Sequence, residues 1–500
     1  MFAVAPTKEP ADYGRLGSAI FALLCALAGV GMGWYVYLDG LAGFRNDTEN
    51  PLVIFVGNLS YLSTITVSAL IGVACLTFMV VWRTWSIDNM ILILCAFLMV
   101  ADVVPGLSML MGMLILIKLS QQILHKGDAH WPLSPLAFPL FLVLLAYFTT
   151  FLEAEQPIVA FAQFLLRGPY LVLGIFLPLV LNTRQRLETL IDFMLLAVLV
   201  ALAVELAQGI AGSVMGTIIT FGPAESAKFE TPWGTFARLT GLMSHPNRHA
   251  NVCCTIGIIV LWMITRPKSM ITPQRRSMLI VIFLLLCVGI LFSWSRSGWL
   301  SFGLVMMLVP FFRWPHLSPL FIVGGGALAF VGMSLGVIQA AFEFVRDLNR
   351  SSADFRWHID HIALQAFFEH PWRGIGIGGE KDYFNAYELS IHNAMLQVVA
   401  DMGIVGIVAY SSLVITVLWM LYKTITTALD PRLRDLAIGM GVASIVLMVQ
   451  GTFGEMLWLK FLWAYLGVLG CLYVINREDL ERRRSLEKLP ERIAAEPASS

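Results

Sequence analysis

Charge is the first thing this chain lacks. Asp, Glu, Lys and Arg make up 13% of its 500 residues, against roughly 25% in an ordinary globular protein. A soluble protein cannot hide the apolar surface that remains, so a water-soluble enzyme, a disordered scaffold and a secreted disulfide domain are excluded. Net charge is missing as well: 33 basic residues balance 33 acidic ones, and without a basic excess nothing points to nucleic acid. The seven cysteines show no CxxC or zinc-ligand spacing and fall in or beside apolar runs, which makes them packing residues. No internal repeat or inverted duplication is visible, and that weakens a transporter reading.

What the sequence has is apolar length. Hydrophobic residues make up 58% of it, and the mean hydropathy is +0.77. Runs of about 20 apolar residues, the thickness of a bilayer core, recur from one end to the other. They predict an all-α polytopic membrane helix bundle of about 12–14 transmembrane helices. The spans centre near residues 27, 70, 95, 114, 143, 170, 201, 257, 286, 304, 328, 411, 443 and 467. Only Ala101-Asp102-Val103-Val104-Pro105-Gly106, a turn or a kink, divides the third from the fourth. The first, Ser18 to Leu38, exceeds a signal-peptide core of about 7–15 residues and is expected to stay as an anchor.

The expected organisation is N-terminal transmembrane helices over 1–211, an external loop over 212–247, helices over 248–338, a long external loop over 339–393, helices over 394–476 and a tail over 477–500. With the N-terminus inside, 21 of the 33 Lys and Arg fall on the inner side and ten on the outer, five of those in one long loop. Short-loop positive charge marks the cytoplasmic face, so both termini are expected inside. The tail is charged and without apolar periodicity, a solvated segment. Within the long loop, Trp357, Ile359, Ile362, Ala363, Gln365, Ala366 and Phe367 recur with helical spacing. They predict an amphipathic helix on the membrane face, stopped at Glu369-His370-Pro371.

Ionisable residues at membrane depth cost about 2.5–3.5 kcal/mol each on insertion scales and need a reason. Arg167, beside Gly168-Pro169 in the sixth span, is either a structural partner of Glu205 or a cation lining a polar cavity. Lys460, near the external end of the last span, is placed to snorkel. The turn Phe292-Ser293-Trp294-Ser295-Arg296-Ser297-Gly298-Trp299 brings an arginine and three hydroxyls to a helix start. That suits an oxyanion, or simply a serine-capped helix with an interfacial tryptophan belt. His245 and His249 stand at i, i+4, but no HExxH carboxylate accompanies them, which argues against zinc. The GxGxG run of Gly374, Gly376 and Gly378 has no strand context for a dinucleotide. His392, at a helix start, is either structural or a base as a neutral imidazole.

Taken in order, these motifs resemble the O-antigen ligase and O-antigen polymerase superfamily. They are Arg-Leu-Thr-Gly with His-Pro-Asn at 238–247, Ser-Arg-Ser-Gly-Trp at 295–299, Arg356 with His-Pro-Trp-Arg-Gly-Ile-Gly at 370–376, and His-Asn-x-x-Leu-Gln with Gly-x-x-Gly at 392–406. The resemblance covers residues 230–420. It implies a GT-C-like, multi-pass glycosyltransferase of the bacterial inner membrane whose active site and two long loops face the periplasm. The donor it implies is an undecaprenyl-pyrophosphate-linked glycan and the acceptor a lipid A-core or another glycan hydroxyl. Membrane lipids surround the protein, and no cofactor, metal or nucleotide sugar is needed. Matching positions assign His392 to catalysis and Arg296 and Arg356 to the pyrophosphate; Arg238 fits less fully, and Arg167 only as an arginine in an early span. Asp354, Asp360, Glu380 and Asp382 are acids available to orient sugars or the histidine. A polymerase of O-antigen or exopolysaccharide and a protein O-glycosylating relative share the pattern. A transporter, with Arg167 and Glu205 as its ion pair, is the reading from another class.

Overall fold

The structure is a computed structural model that describes residues 87–102, 134–150, 174–215, 228–231, 234–336, 350–376, 391–454 and 459–495, with isolated positions between them. The chain divides into two compact units, Met1–Ser86 with Val103–Leu110, and Ile87–Asp102 with Met111–Ser500. All the described residues belong to the second. The spans expected near 27 and 70 lie outside them, as do Arg167 and most of the long loop after Gly376.

The second unit is an all-α membrane bundle. Its helices are α1 Ile87–Leu98, α2 Ala137–Thr150, α3 Arg184–Met215, α4 Pro246–Ile264, α5 Pro273–Phe292, α6 Arg296–Arg313, α7 Ser318–Ser334, α8 Arg350–Glu369, α9 Ala394–Thr427, α10 Pro431–Gly451 and α11 Lys460–Ala495. Six candidate spans among the described residues are long and apolar enough to cross a membrane. Large side chains such as Phe138, Leu284, Met307 and Leu328 are exposed, as a lipid-facing surface requires.

Local chemistry sets the helix starts. Pro246, Pro273 and Pro431 each occupy a first-turn position where the missing N–H costs nothing. The side chains of Thr272 and Asp430 accept the first free amides of α5 and α10. At the other end of the bundle His245, Ser295 and Asn393 do the same for α4, α6 and α9. Three helix N-termini therefore open at one end, and their dipoles add positive potential there.

The core forms around α4, which is largely buried and packs against α5, α6 and α10. Gly439 of α10 lets the ring of Trp262 lie against the backbone where a Cβ would collide with it. A hydrogen bond between the hydroxyls of Tyr147 and Tyr410, at 3.1 Å, ties α2 to α9.

Several expectations change. The loop over 212–247 carries an antiparallel hairpin, β1 Lys228–Thr231 with β2 Gly234–Ala237, in the register Lys228 to Ala237. The described part of the long loop carries a helix of 20 residues, α8. It ends at Glu369 as Pro371 demands, and buries Ile359, Ala363 and Ala366 against Ile375, Ile391 and Ala400. Trp357 does not join that face and is 78% exposed. The tail continues α11 to Ala495, charged as expected but helical, with Arg477–Glu481 and Arg483–Glu487 paired at i, i+4.

Candidate functional site

Arg238 follows β2 and is held by two neighbouring segments. Its Nε donates to the Ser293 carbonyl at 2.8 Å, and a terminal nitrogen donates to Asn247 Oδ1 at 2.7 Å. The next residue, Leu239, donates its amide to the Phe292 carbonyl at 3.0 Å. The Arg-Leu-Thr-Gly segment is thereby stitched to the end of α5 and the start of α4.

The turn from α5 to α6 is tight enough to hold Trp294 at φ 52°, a left-handed conformation that a bulky residue adopts only under constraint. Its ring lies 5.3 Å from Phe236 of the hairpin and 5.8 Å from Trp299. The serines of this turn are engaged locally. Ser293 Oγ donates to the Ile290 carbonyl at 2.7 Å, and Ser295 Oγ accepts the Gly298 amide at 3.3 Å. Both are buried, so these two hydroxyls cap and brace the helix start. Arg296, the first residue of α6, is half-buried beside them.

Arg356 comes from α8 and donates to the Phe453 carbonyl just after α10, at a long 3.5 Å. Burial lowers its pKa, Arg296 lowers it further, and Asp360 one turn along opposes both. Burial raises the Asp360 carboxyl, and Arg356 pulls it back. Arg238 is brought down to about 10 by burial and then by Arg356 and Arg296. The three arginines, from three separate chain segments, thus share one field.

Two histidines share it as well. His245 is pushed down to about 3 by burial, then by Arg238, Arg248, His392 and Arg356. Its Nδ1 accepts the Asn247 amide at 3.1 Å, so it is neutral at any physiological pH and too weak a base for proton transfer. His392 is half-buried and directly precedes Asn393, whose Oδ1 accepts the amides of Met395 and Leu396 at 3.0 and 3.2 Å.

The described glycines of the long loop, Gly374 and Gly376, pack against backbone. Ile375 and Gly376 donate to the carbonyls of Ala400 and Asp401 at 2.9 and 3.1 Å, and Ile404 donates to that of Pro371 at 2.8 Å. Gly374 and Gly403 have φ of +69° and +57°, and a Cβ on either would collide with the partner's backbone. This clasp breaks α9 at Gly403 and fixes α8, and hence Arg356, against the helix that His392 begins.

Other expectations resolve differently. Glu205 has His249 Nε2 as a partner at 3.2 Å, both 3% exposed. His249 therefore faces α3 while His245 caps α4, and the two form no common ligand pair. Lys460 does not snorkel: it is 7% exposed and donates to the Asp102 carbonyl at 3.1 Å. The Asp102 carboxylate accepts from Ser244 Oγ at 2.7 Å and Arg248 at 3.1 Å. The signal missed was an acid in an apolar turn, which must find partners wherever the fold supplies them. Gln208, a polar residue one turn after Glu205 in an apolar run, carries the same kind of signal.

Residues 279–411 match the O-antigen ligase family model; the match contains Arg296, Arg356 and His392 and begins after Arg238. No curated protein matches. A chain of the solved complex described as "Structural coordination of polymerization and crosslinking by a peptidoglycan synthase complex" is similar at 20% identity, covering 69% of this chain and 97% of that one. Its TM-score of 0.38 is too low to carry an argument. Over residues 279–411 this multi-pass membrane protein is similar to the O-antigen ligase family, and that match supports membership of the O-antigen ligase and polymerase superfamily.

Proposed function

We propose that the chain is a periplasm-facing, inverting glycosyltransferase of the bacterial inner membrane, which moves a glycan from undecaprenyl pyrophosphate to an acceptor hydroxyl in the manner of an O-antigen ligase. The observation that carries this is the gathering of Arg238, Arg296, Arg356 and His392 at one end of the bundle, where Arg238 feels both other arginines and His392 acts on the same neighbourhood.

A lipid diphosphate offers several anionic oxygens, and planar, permanently charged guanidinium groups meet them with paired N–H donors. Their effect is strongest in a water-poor site, and strongest of all on the departing pyrophosphate as its charge grows. His392 takes the acceptor proton as the hydroxyl oxygen attacks the anomeric carbon. The bond from that carbon to pyrophosphate breaks on the opposite face, which inverts the centre. The products are the new glycoside, undecaprenyl pyrophosphate and a protonated His392. Asp360, beside Arg356, is available to orient that arginine or a sugar hydroxyl. Arg167, outside the described residues, remains a proposed fourth cation.

The glycolipid profile of a deletion strain tests the acceptor. Uncapped lipid A-core supports the ligase reading, whereas shortened polymer or unglycosylated protein replaces it with the corresponding relative. Orientation is tested by cysteine labelling at position 380, which should react with an impermeant probe from the periplasm. Labelling only after the inner membrane is opened would remove the site from that face.

A further inference from the structure

Gln208 stands in the last part of α3 and is 4% exposed. Its Oε1 accepts the Gly241 amide at 2.9 Å and the Thr240 amide at 3.2 Å. Its Nε2 donates to Thr240 Oγ1 at 3.1 Å and to the Gly241 carbonyl at 3.2 Å. One side chain thus serves both faces of an irregular turn that has neither helix nor strand to satisfy its amides. The turn has little other freedom. Gly241 has φ +54°, and a Cβ on it would meet the His249 ring at 2.8 Å. One turn earlier on α3, Glu205 holds that same ring, and a Cβ on Gly289 of α5 would stand 2.7 Å from the Glu205 carboxylate.

We propose that Gln208 is the positioning residue for Arg238: its carboxamide replaces a missing backbone partner for Thr240 and Gly241 and so sets where the guanidinium two residues earlier presents itself. A buried amide with a full set of partners at membrane depth is a precise support, since each hydrogen bond there has no water to replace it. Gln208 touches neither donor nor acceptor and acts only through the segment it holds. The inference rests on the reading of Arg238 as a ligand of the donor pyrophosphate.

The test is a double-mutant cycle on the full-length protein in detergent or nanodiscs, with the dissociation constant for undecaprenyl pyrophosphate as the readout. Gln208→Met, nearly the same shape without the amide, should weaken binding about tenfold, in keeping with the cost of small misplacements of a binding group. In an Arg238→Ala background the same change should alter binding by less than about twofold, because the group it positions is gone. Losses that multiply in the double variant, or a Gln208→Met protein that binds normally, would overturn the assignment. If Arg238→Ala alone leaves binding unchanged, the pyrophosphate reading of Arg238 has failed, which is a separate result. Should Gln208→Met not accumulate, Gln208→Glu keeps an acceptor for the two amides and carries the same arms. Its binding should then fall between those of wild type and Arg238→Ala.

Discussion

The two ends of the bundle treat most of their arginines differently. At one end, cations meet carboxylates: Arg266 and Arg313 close on Asp435, Arg186 and Lys118 on Asp88, Arg184 on Asp430 and Arg275 on Asp192. Arg313 also stacks over Trp262 at 4.7 Å, and Trp262 Nε1 donates to the same Asp435 at 3.2 Å. At the other end, about 28 Å away along the 19 residues of α4, Arg248 closes on Asp102, but among the described contacts Arg238 donates to a carbonyl and an amide oxygen, and Arg356 donates to a carbonyl with Asp360 nearby. A guanidinium held by carbonyls is fixed in place without that contact cancelling its charge. A guanidinium closed on a carboxylate has largely discharged its field locally. The carboxylate-paired end holds helices together, and the end with Arg238, Arg296 and Arg356 is the one proposed to meet an anion.

That contrast is open to direct attack. His392→Ala should lower turnover by about 10²–10⁴-fold with little change in abundance or donor binding, the usual worth of a positioned base. Near-normal turnover of the purified variant would return His392 to a structural role. Wild-type activity should also rise with pH across the range where the imidazole loses its proton, since a base must be neutral; a fall over that range would instead mark an imidazolium ligand.

Asp435→Ala at the opposite end should do the reverse. Stranding the partly buried Arg266 and Arg313 without their acid costs up to about 3–5 kcal/mol of stability, seen as a lower melting temperature. The protein that remains folded should transfer glycan at the normal rate, and a specific loss of turnover would erase the distinction between the ends.

Arg296→Lys keeps the charge and loses the planar fork. Donor affinity should fall about tenfold while the melting temperature holds, and unchanged affinity would take Arg296 out of the site.

The smallest effect concerns His245, whose neutral form the fold selects. Its pKa drops from 6.5 to about 3 on folding, so the unfolded chain binds the extra proton first. The stability it contributes is complete above pH 6.5 and declines as pH falls towards 3, by about 1.4 kcal/mol per pH unit once well below 6.5. His245→Asn, which can still cap α4, should flatten that decline in thermal melts between pH 6.5 and 5. An unaltered slope would show that another group governs it.

Much of this molecule was legible in its sequence because single-residue rules act locally. Apolar length located the helices, Pro246, Pro273 and Pro431 marked three starts, and Pro371 stopped α8 after Glu369. Arg238, Arg296, Arg356 and His392 were named from motifs, and the fold brings them into one neighbourhood. What escaped depends on partners distant in the chain. Lys460 looks like a snorkelling lysine until Asp102, 358 residues earlier, supplies its acceptor. Trp357 fits an apolar helical pattern, yet only packing decides which face α9 covers. The four-residue strands of the hairpin are too short for alternation to show. Gln208 gave a faint signal, a polar residue one turn from Glu205 in an apolar run, but its purpose appears only when the Thr240–Gly241 turn is set against it.

The clasp between residues 371–376 and 400–405 bears on how such proteins can be recombined. Because each strand of it fills the space a side chain would need on the other, the two segments behave as one heritable module. A chimaera that imports α8 and its following turn from a relative should fold only if it also imports the start of α9 through Gly406. Crossovers placed beyond that glycine should be tolerated, so α8 and its turn are expected to travel between relatives together with His392.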